Sequence, residues 1–85
     1  MIDSQTWWAY LVKCADDTLY AGITTDLERR VTEHNAGSGA RYTRARRPVV
    51  LVYREQGDDR SSALKREAAI KRLSRADKLA LISAC

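Results

Sequence analysis

The sequence predicts an α+β domain: a small three-stranded, mainly antiparallel sheet flanked by helices, in the order ββαβαα. Three observations lead there. The stretches "WWAYLVKC" (7 to 14) and "TLYAGI" (18 to 23) are aromatic and β-branched and are interrupted by Asp16 and Asp17, the pattern of a hairpin. Helix-start signals follow directly, and a third apolar run, "PVVLVYRE" (48 to 55), comes only after them. A length of 85 residues leaves room for one domain, 1 to 85, with one modest core.

Each element has a local cause. If the hairpin loop has an odd number of residues, such as 15 to 17, Tyr10 lies opposite Gly22 and Tyr20 opposite Val12, which puts both phenols on one face. An even loop separates them. Gly22 then leaves space beside Tyr10 for a ligand or a close backbone. Thr25 and Glu28 form a capping box, Leu27 and Val31 begin an apolar stripe, and Gly37 stands where a C-terminal cap belongs. The segment "GSGARYTRARR" (37 to 47) reads as a Gly-containing basic loop, and Pro48 marks the start of the third strand. After the turn "GDDR", Ser61 or Ser62 caps a helix of about 62 to 73, and Ser74 with Asp77 makes a capping box for a short last helix. The core draws on Trp8, Leu11, Val12, Leu19, Leu27, Val31, Val50, Val52, Leu64, Ile70, Leu79 and Ile82.

Fifteen Lys and Arg against eleven Asp and Glu give a net charge of +4, which fits a polyanionic partner such as nucleic acid. Cys14 and Cys85 form no scaffold pattern or CxxC pair, and a single histidine leaves no ready structural zinc site. The N-terminus lacks the basic, apolar and small-residue regions of a signal sequence, and no apolar run approaches the ~20 residues a membrane span needs. A reduced, cytoplasmic protein with no membrane contact, most simply a monomer, is the expectation.

Some polar residues stand where apolar ones belong. On a helical wheel Leu27, Arg30, Val31 and His34 share one face, with Arg30 and His34 one turn apart at the border of the buried stripe. Snorkelling of Arg30 and a hydrogen bond at His34 near the helix end would account for each alone. Glu67 falls amid the apolar face of the second long helix, while Lys65, Arg66 and Arg72 take its outward arc. Desolvating a carboxylate costs several kcal/mol, and an i,i+4 pair with Lys71 is worth only ~0.2–0.5 kcal/mol if exposed. A carboxylate held rigidly toward a cleft is what a divalent metal site requires, since Mg²⁺ often takes one carboxylate, waters and substrate phosphate oxygens.

Together these residues resemble the GIY-YIG nuclease family, and its small stand-alone bacterial branch in particular. "WAY" (8 to 10) occupies the first motif's place and "YAG" (20 to 22) the second's; "TDLERRVTEH" is similar to the helix that follows, and "ALKREAAIK" (63 to 71) to the segment bearing the family's metal-binding Glu. The resemblance implies an endonuclease that hydrolyses phosphodiester bonds in nucleic acid, DNA rather than RNA, with Mg²⁺ or Mn²⁺ as cofactor and a role in DNA repair or processing. It places Tyr10, Tyr20, Arg30, His34 and Glu67 in the catalytic site, with Glu67 as metal ligand. Tyr10, or failing that Tyr20, takes the proton from the attacking water, with its phenol pKa lowered by Arg30 and the metal. Two departures bear on substrate binding: the first motif lacks its glycine, and Ile23 stands where some relatives carry a Lys. Phosphate contacts are therefore expected from Arg41, Arg44, Arg46 and Arg47, with Tyr42 as a base-stacking ring. Two other readings stay open: a non-catalytic nucleic-acid-binding module, and a structural partner in a larger assembly.

Overall fold

The computed structural model describes residues 6–84. Cys85 and the N-terminal residues 1–5 lie outside the described residues. Strands β1 (Trp7–Lys13), β2 (Leu19–Thr24) and β3 (Val50–Gly57) form one antiparallel sheet in the order β2-β1-β3, with helices α1 (Leu27–Ala36), α2 (Arg41–Arg44), α3 (Arg60–Lys71) and α4 (Arg75–Ser83) around it. The expected fold class holds, with one addition. The basic segment expected as loop contains the single helical turn α2.

The hairpin closes through the odd loop 15 to 17, with Cys14 N–H donating to Thr18 O at 2.8 Å, so Tyr10 pairs with Gly22 and Val12 with Tyr20. Asp17 takes a left-handed φ of 71°, a conformation that Asp tolerates better than most residues. Central strand β1 buries both of its faces. Ala9 and Leu11 pack with Ala21 and Ile70 on one side, and Tyr10 and Val12 with Cys14 and Val49 on the other. Helix α3 supplies Ile70 to the first face, with Leu81 and Ile82 of α4 beside it. Helix α1 supplies Leu27 and Val31 to the second. The site is therefore built where two helices cover opposite sides of the same strands.

Several local expectations shift. Helix α1 is capped by Asp26, whose side chain accepts from Arg29 N–H at 3.0 Å, because Thr24 turns the chain by accepting from Asp26 N–H. The Thr25–Glu28 capping box does not form. Asp59, two or three residues earlier than the expected serines, caps α3 by accepting from Ser62 N–H at 2.8 Å. Ser74 caps α4 and Gly37 closes α1, as expected.

Val50, Leu64 and Leu79, expected in the core, are exposed at 61%, 36% and 43%. Their corrections differ in cause. Strand β3 carries an irregularity where Leu11 pairs with Tyr53 and Val12 with Leu51, so the alternation that would bury Val50 with Val52 loses phase. Val49 is buried instead, and Asn35 holds it by donating to its carbonyl at 3.1 Å and accepting from its N–H at 2.7 Å. With both of its backbone groups taken, Val49 cannot join the ladder, and β3 starts at Val50 rather than at Pro48. On α3 the buried stripe runs Ala63, Glu67, Ile70, which leaves Leu64 outside it. On α4 the residues packed toward the sheet are Leu81 and Ile82 rather than Leu79.

Candidate active site

The centre of the site is an aromatic and imidazole cluster on the α1 side of the sheet. Tyr10 lies 1% exposed with its ring over Gly22, where a Cβ would stand 2.5 Å from the phenol oxygen. Only glycine permits that crossing. The crossing brings Tyr10 Oη to 2.9 Å from His34 Nε2. His34, one turn beyond Arg30 on α1, is fully buried, and its Nδ1 lies 2.8 Å from Thr43 Oγ1. Gly39 is likewise a matter of space, since a Cβ there would meet Nδ1 at 2.5 Å.

Tyr20 meets the same imidazole edge-on, at 5.7 Å between ring centroids and 73° between planes; Tyr10 does so at 6.0 Å and 64°. Both phenols thus border His34 as their shared face predicts. Tyr20 also stacks on Tyr42 at 5.5 Å and 19°, and Arg46 covers the Tyr42 ring at 4.0 Å. The expected base-stacking ring thus already contacts Tyr20 and Arg46 while remaining 38% exposed.

Arg30 is 30% exposed and donates to Glu33 Oε1 at 3.0 Å; Arg29, at 63%, is the more exposed of the two and meets the other oxygen of the same carboxylate at 3.8 Å. Burial lowers the Arg30 pKa, but its interactions with Tyr10 and Glu33 outweigh that and hold the guanidinium charged. The Tyr10 phenol moves opposite to expectation. Burial pushes it above the ordinary tyrosine range, and Arg30, although it acts downward as anticipated, does not compensate. His34 is held below the usual imidazole range by burial first and by the Arg30 charge second, so it is neutral at neutral pH.

Glu67 approaches from α3, on the other side of the sheet, with its side chain 18% exposed and 3.5 Å from Lys71 Nζ. Its negative charge is felt at Tyr10, where it opposes ionisation of the phenol. Among the described residues no group of three His, Cys, Asp or Glu side chains is placed to hold a metal ion. His34 has both ring nitrogens committed to Tyr10 and Thr43. A Mg²⁺ or Mn²⁺ here would have Glu67 as its side-chain ligand, with water and substrate phosphate oxygens completing the shell. One largely buried carboxylate fits that mode.

The basic segment divides into two kinds of arginine. Arg46 donates to Asp16 Oδ2 at 3.0 Å and to Tyr42 O at 2.9 Å; Arg47 donates to Arg44 O at 2.8 Å and to Asn35 O at 3.5 Å. Arg41 and Arg44 are exposed, with no side-chain partner among the described residues. Sequence reasoning missed Thr43 and Asn35, two uncharged residues whose roles arise from contacts nine and fourteen positions away. No local periodicity could have revealed either. Cys14, expected to be an ordinary thiol, is buried and free, and burial raises its pKa.

A three-stranded antiparallel sheet with two tyrosines, an arginine and a histidine gathered on its hairpin and first helix, and a carboxylate on the later helix, is the arrangement expected from the resemblance to GIY-YIG domains. The chain belongs to that family, whose profile matches residues 6–80. It is 60% identical to a UPF0213 protein of Desulfotalea psychrophila over 96% of this chain and 76% of that one. A UPF0213 protein of Staphylococcus haemolyticus is 53% identical over 88% and 92% of the two chains. Among solved structures, the solution NMR structure of a UPF0213 protein from Bacillus halodurans matches with a TM-score of 0.60 and 38% identity, over 93% of this chain and 84% of that one. An E. faecalis protein, also solved by NMR, matches with a TM-score of 0.59 and 44% identity over 92% and 83%.

Proposed function

We propose that this protein is a metal-dependent endonuclease that hydrolyses phosphodiester bonds in nucleic acid, DNA before RNA, with structure-selective or weakly sequence-specific action in DNA repair or processing. The observation that carries the reading is the convergence on one phenol oxygen: Tyr10 Oη lies against His34, beside the charged Arg30 and within reach of the Glu67 charge. A structural tyrosine does not need three ionisable neighbours. Arg30 grips a phosphate oxygen through its planar donors. Tyr10, with Tyr20 as second choice, accepts a proton from the attacking water. Glu67 would hold a divalent ion, which when bound would supply neutralisation of phosphate charge and stabilisation of the leaving oxygen. Hydrolysis by this route needs no covalent intermediate, and no cysteine takes part. No helix among the described residues is long and apolar enough to cross a membrane.

A second reading, a nucleic-acid-binding module with a relic site, draws on the near-complete burial of Tyr10. Cleavage assays on single-stranded, duplex and branched DNA and on RNA, with Mg²⁺ and Mn²⁺ titrated, separate the two. The nuclease cuts only with metal, and Tyr10→Phe lowers the rate about 100-fold or more. Full activity in Tyr10→Phe with loss in Tyr20→Phe moves the base to Tyr20. Tight binding with no cutting by the wild type under any metal leaves the binding module.

A further inference from the structure

Thr43 sits in the middle of the arginine-rich segment, yet it is fully buried and its hydroxyl faces His34 Nδ1 at 2.8 Å. It is not a phosphate contact. Nδ1 has a second neighbour, the backbone N–H of Ala40 at 3.5 Å, for which it is the acceptor among the described residues. An amide N–H can only donate, so it meets Nδ1 favourably only when that nitrogen carries no proton. The alternative target of the Thr43 hydroxyl, Ala40 O at 3.0 Å, already accepts the N–H groups of Thr43 and Arg44, both at 3.2 Å. Its two lone pairs are occupied. The hydroxyl proton is therefore better used on Nδ1, and the one proton of the neutral imidazole falls on Nε2, 2.9 Å from Tyr10 Oη.

We propose that Thr43 is a positioning residue: its hydroxyl, with the Ala40 amide, holds His34 as the Nε2–H tautomer, so that the imidazole donates to Tyr10 Oη and leaves the phenol's own proton unengaged by the ring. The catalytic consequence rests on the nuclease reading above. An oxygen that receives an N–H bond gives up its proton more readily and is better held as phenolate, which works against the burial that raises Tyr10. Thr43 thus acts through His34 and touches no substrate, and a residue from the basic segment completes a site whose other groups come from the sheet, α1 and α3.

Because His34 is the chain's single histidine, its ring nitrogens can be read without ambiguity in long-range ¹H–¹⁵N NMR spectra of the intact labelled protein at neutral pH. The expected result is an unprotonated Nδ1 and a protonated Nε2 in the wild type and in Thr43→Ser. Thr43→Val, close in shape but without the hydroxyl, is expected to shift the ring toward Nδ1–H and to lower kcat about tenfold or more with KM little changed, the order seen when an orienting group behind a working residue is removed. Thr43→Ser restores both readouts. A protonated Nδ1 in the wild type overturns the proposal, as does an unchanged ring spectrum or an unchanged kcat in Thr43→Val. Should Thr43→Val fail to fold, the wild-type and Thr43→Ser spectra decide alone. A wild-type protein that shows the Nε2–H ring but cuts no nucleic acid supports the role of Thr43 in setting the tautomer and ends the nuclease reading, so the two failures are told apart.

Discussion

A buried imidazole beside a guanidinium ties this fold's stability to proton uptake. In the unfolded chain His34 takes its proton near pH about 6.5, whereas burial and Arg30 hold it neutral in the fold to lower pH. As pH falls below about 6.5 the unfolded state therefore binds more protons, and stability drops; above that value the contribution is complete and flat. The carboxylates of Asp16, Glu55 and Asp59, held below their usual range by hydrogen bonds with Thr18, Arg66 and Ser62 respectively, lose their share only below about pH 4.5. The window between belongs to His34. Urea unfolding at intervals from pH 8 to pH 5 is expected to show the midpoint falling below pH about 6.5, and His34→Gln should remove that slope; a flat wild-type curve contradicts a depressed His34. Arg30 offers a test of geometry against charge. Arg30→Lys keeps the charge but loses the planar fork, and should lower the cleavage rate at least about tenfold, ~1.4 kcal/mol of barrier. Arg29→Lys should leave it unchanged, since Arg29 is 63% exposed. Equal losses at both positions would show that the wrong arginine has been placed toward the substrate.

At the scale of elements, the 41 to 47 segment does two jobs with one residue type. Arg46 and Arg47 fasten it to the hairpin loop and to α1 through Asp16 and Asn35, while Arg41 and Arg44 remain outward. Replacing Arg41 and Arg44 by Ala should flatten the log–log salt dependence of oligonucleotide binding by about 1–2 units, at ~0.7–0.9 per phosphate contact, without changing the melting temperature. Replacing Arg46 and Arg47 should do the reverse, lowering the melting temperature with little change in slope. Metal-free binding titrations beside thermal melts distinguish the pairs, and equal slopes for both would make the division meaningless. The division was not legible in the sequence, where four arginines in seven residues look alike. The hairpin was legible, but its register only as a choice between an odd and an even loop, because alternation fixes the faces only once loop parity is known; the odd loop found here pairs Tyr10 with Gly22. Helix starts drifted by a residue or more wherever several Asp, Ser and Thr competed for one cap, as Asp26 and Asp59 show. The phase of β3 was lost because one irregularity in the ladder leaves no mark in an all-apolar run. Of the candidate site residues, Arg30, His34 and Glu67 were visible as polar intrusions on apolar faces; Thr43, small and lodged among charges, gave no such contrast.

Across the whole molecule the site spans the sheet, with the phenols, Arg30 and His34 on the α1 side and Glu67 on α3, whose Ile70 packs on the other. Glu67 occupies the buried stripe of α3 between Ala63 and Ile70, a place where an apolar residue would serve the core better. Its pair with Lys71, at 3.5 Å and with the lysine 53% exposed, is an i,i+4 contact worth ~0.2–0.5 kcal/mol, too little to justify a largely desolvated carboxylate. On the nuclease reading proposed above, the fold carries this charge as a burden for chemistry. Glu67→Gln should therefore leave the metal-free protein as stable as the wild type or slightly more so. Lys71→Met should cost little, and less than ~0.5 kcal/mol. Cleavage by Glu67→Gln should collapse, whereas nucleic-acid binding without metal should persist, because Arg41 and Arg44 are untouched and one negative charge has left the cleft. Thermal unfolding of both variants with and without Mg²⁺ or Mn²⁺, beside cleavage and metal-free binding assays, reads every arm. If Glu67→Gln and Lys71→Met destabilise the protein alike, the pair is structural. If Glu67→Gln cuts at the wild-type rate, Glu67 is not the metal ligand, and the nuclease mechanism proposed for this chain fails with it.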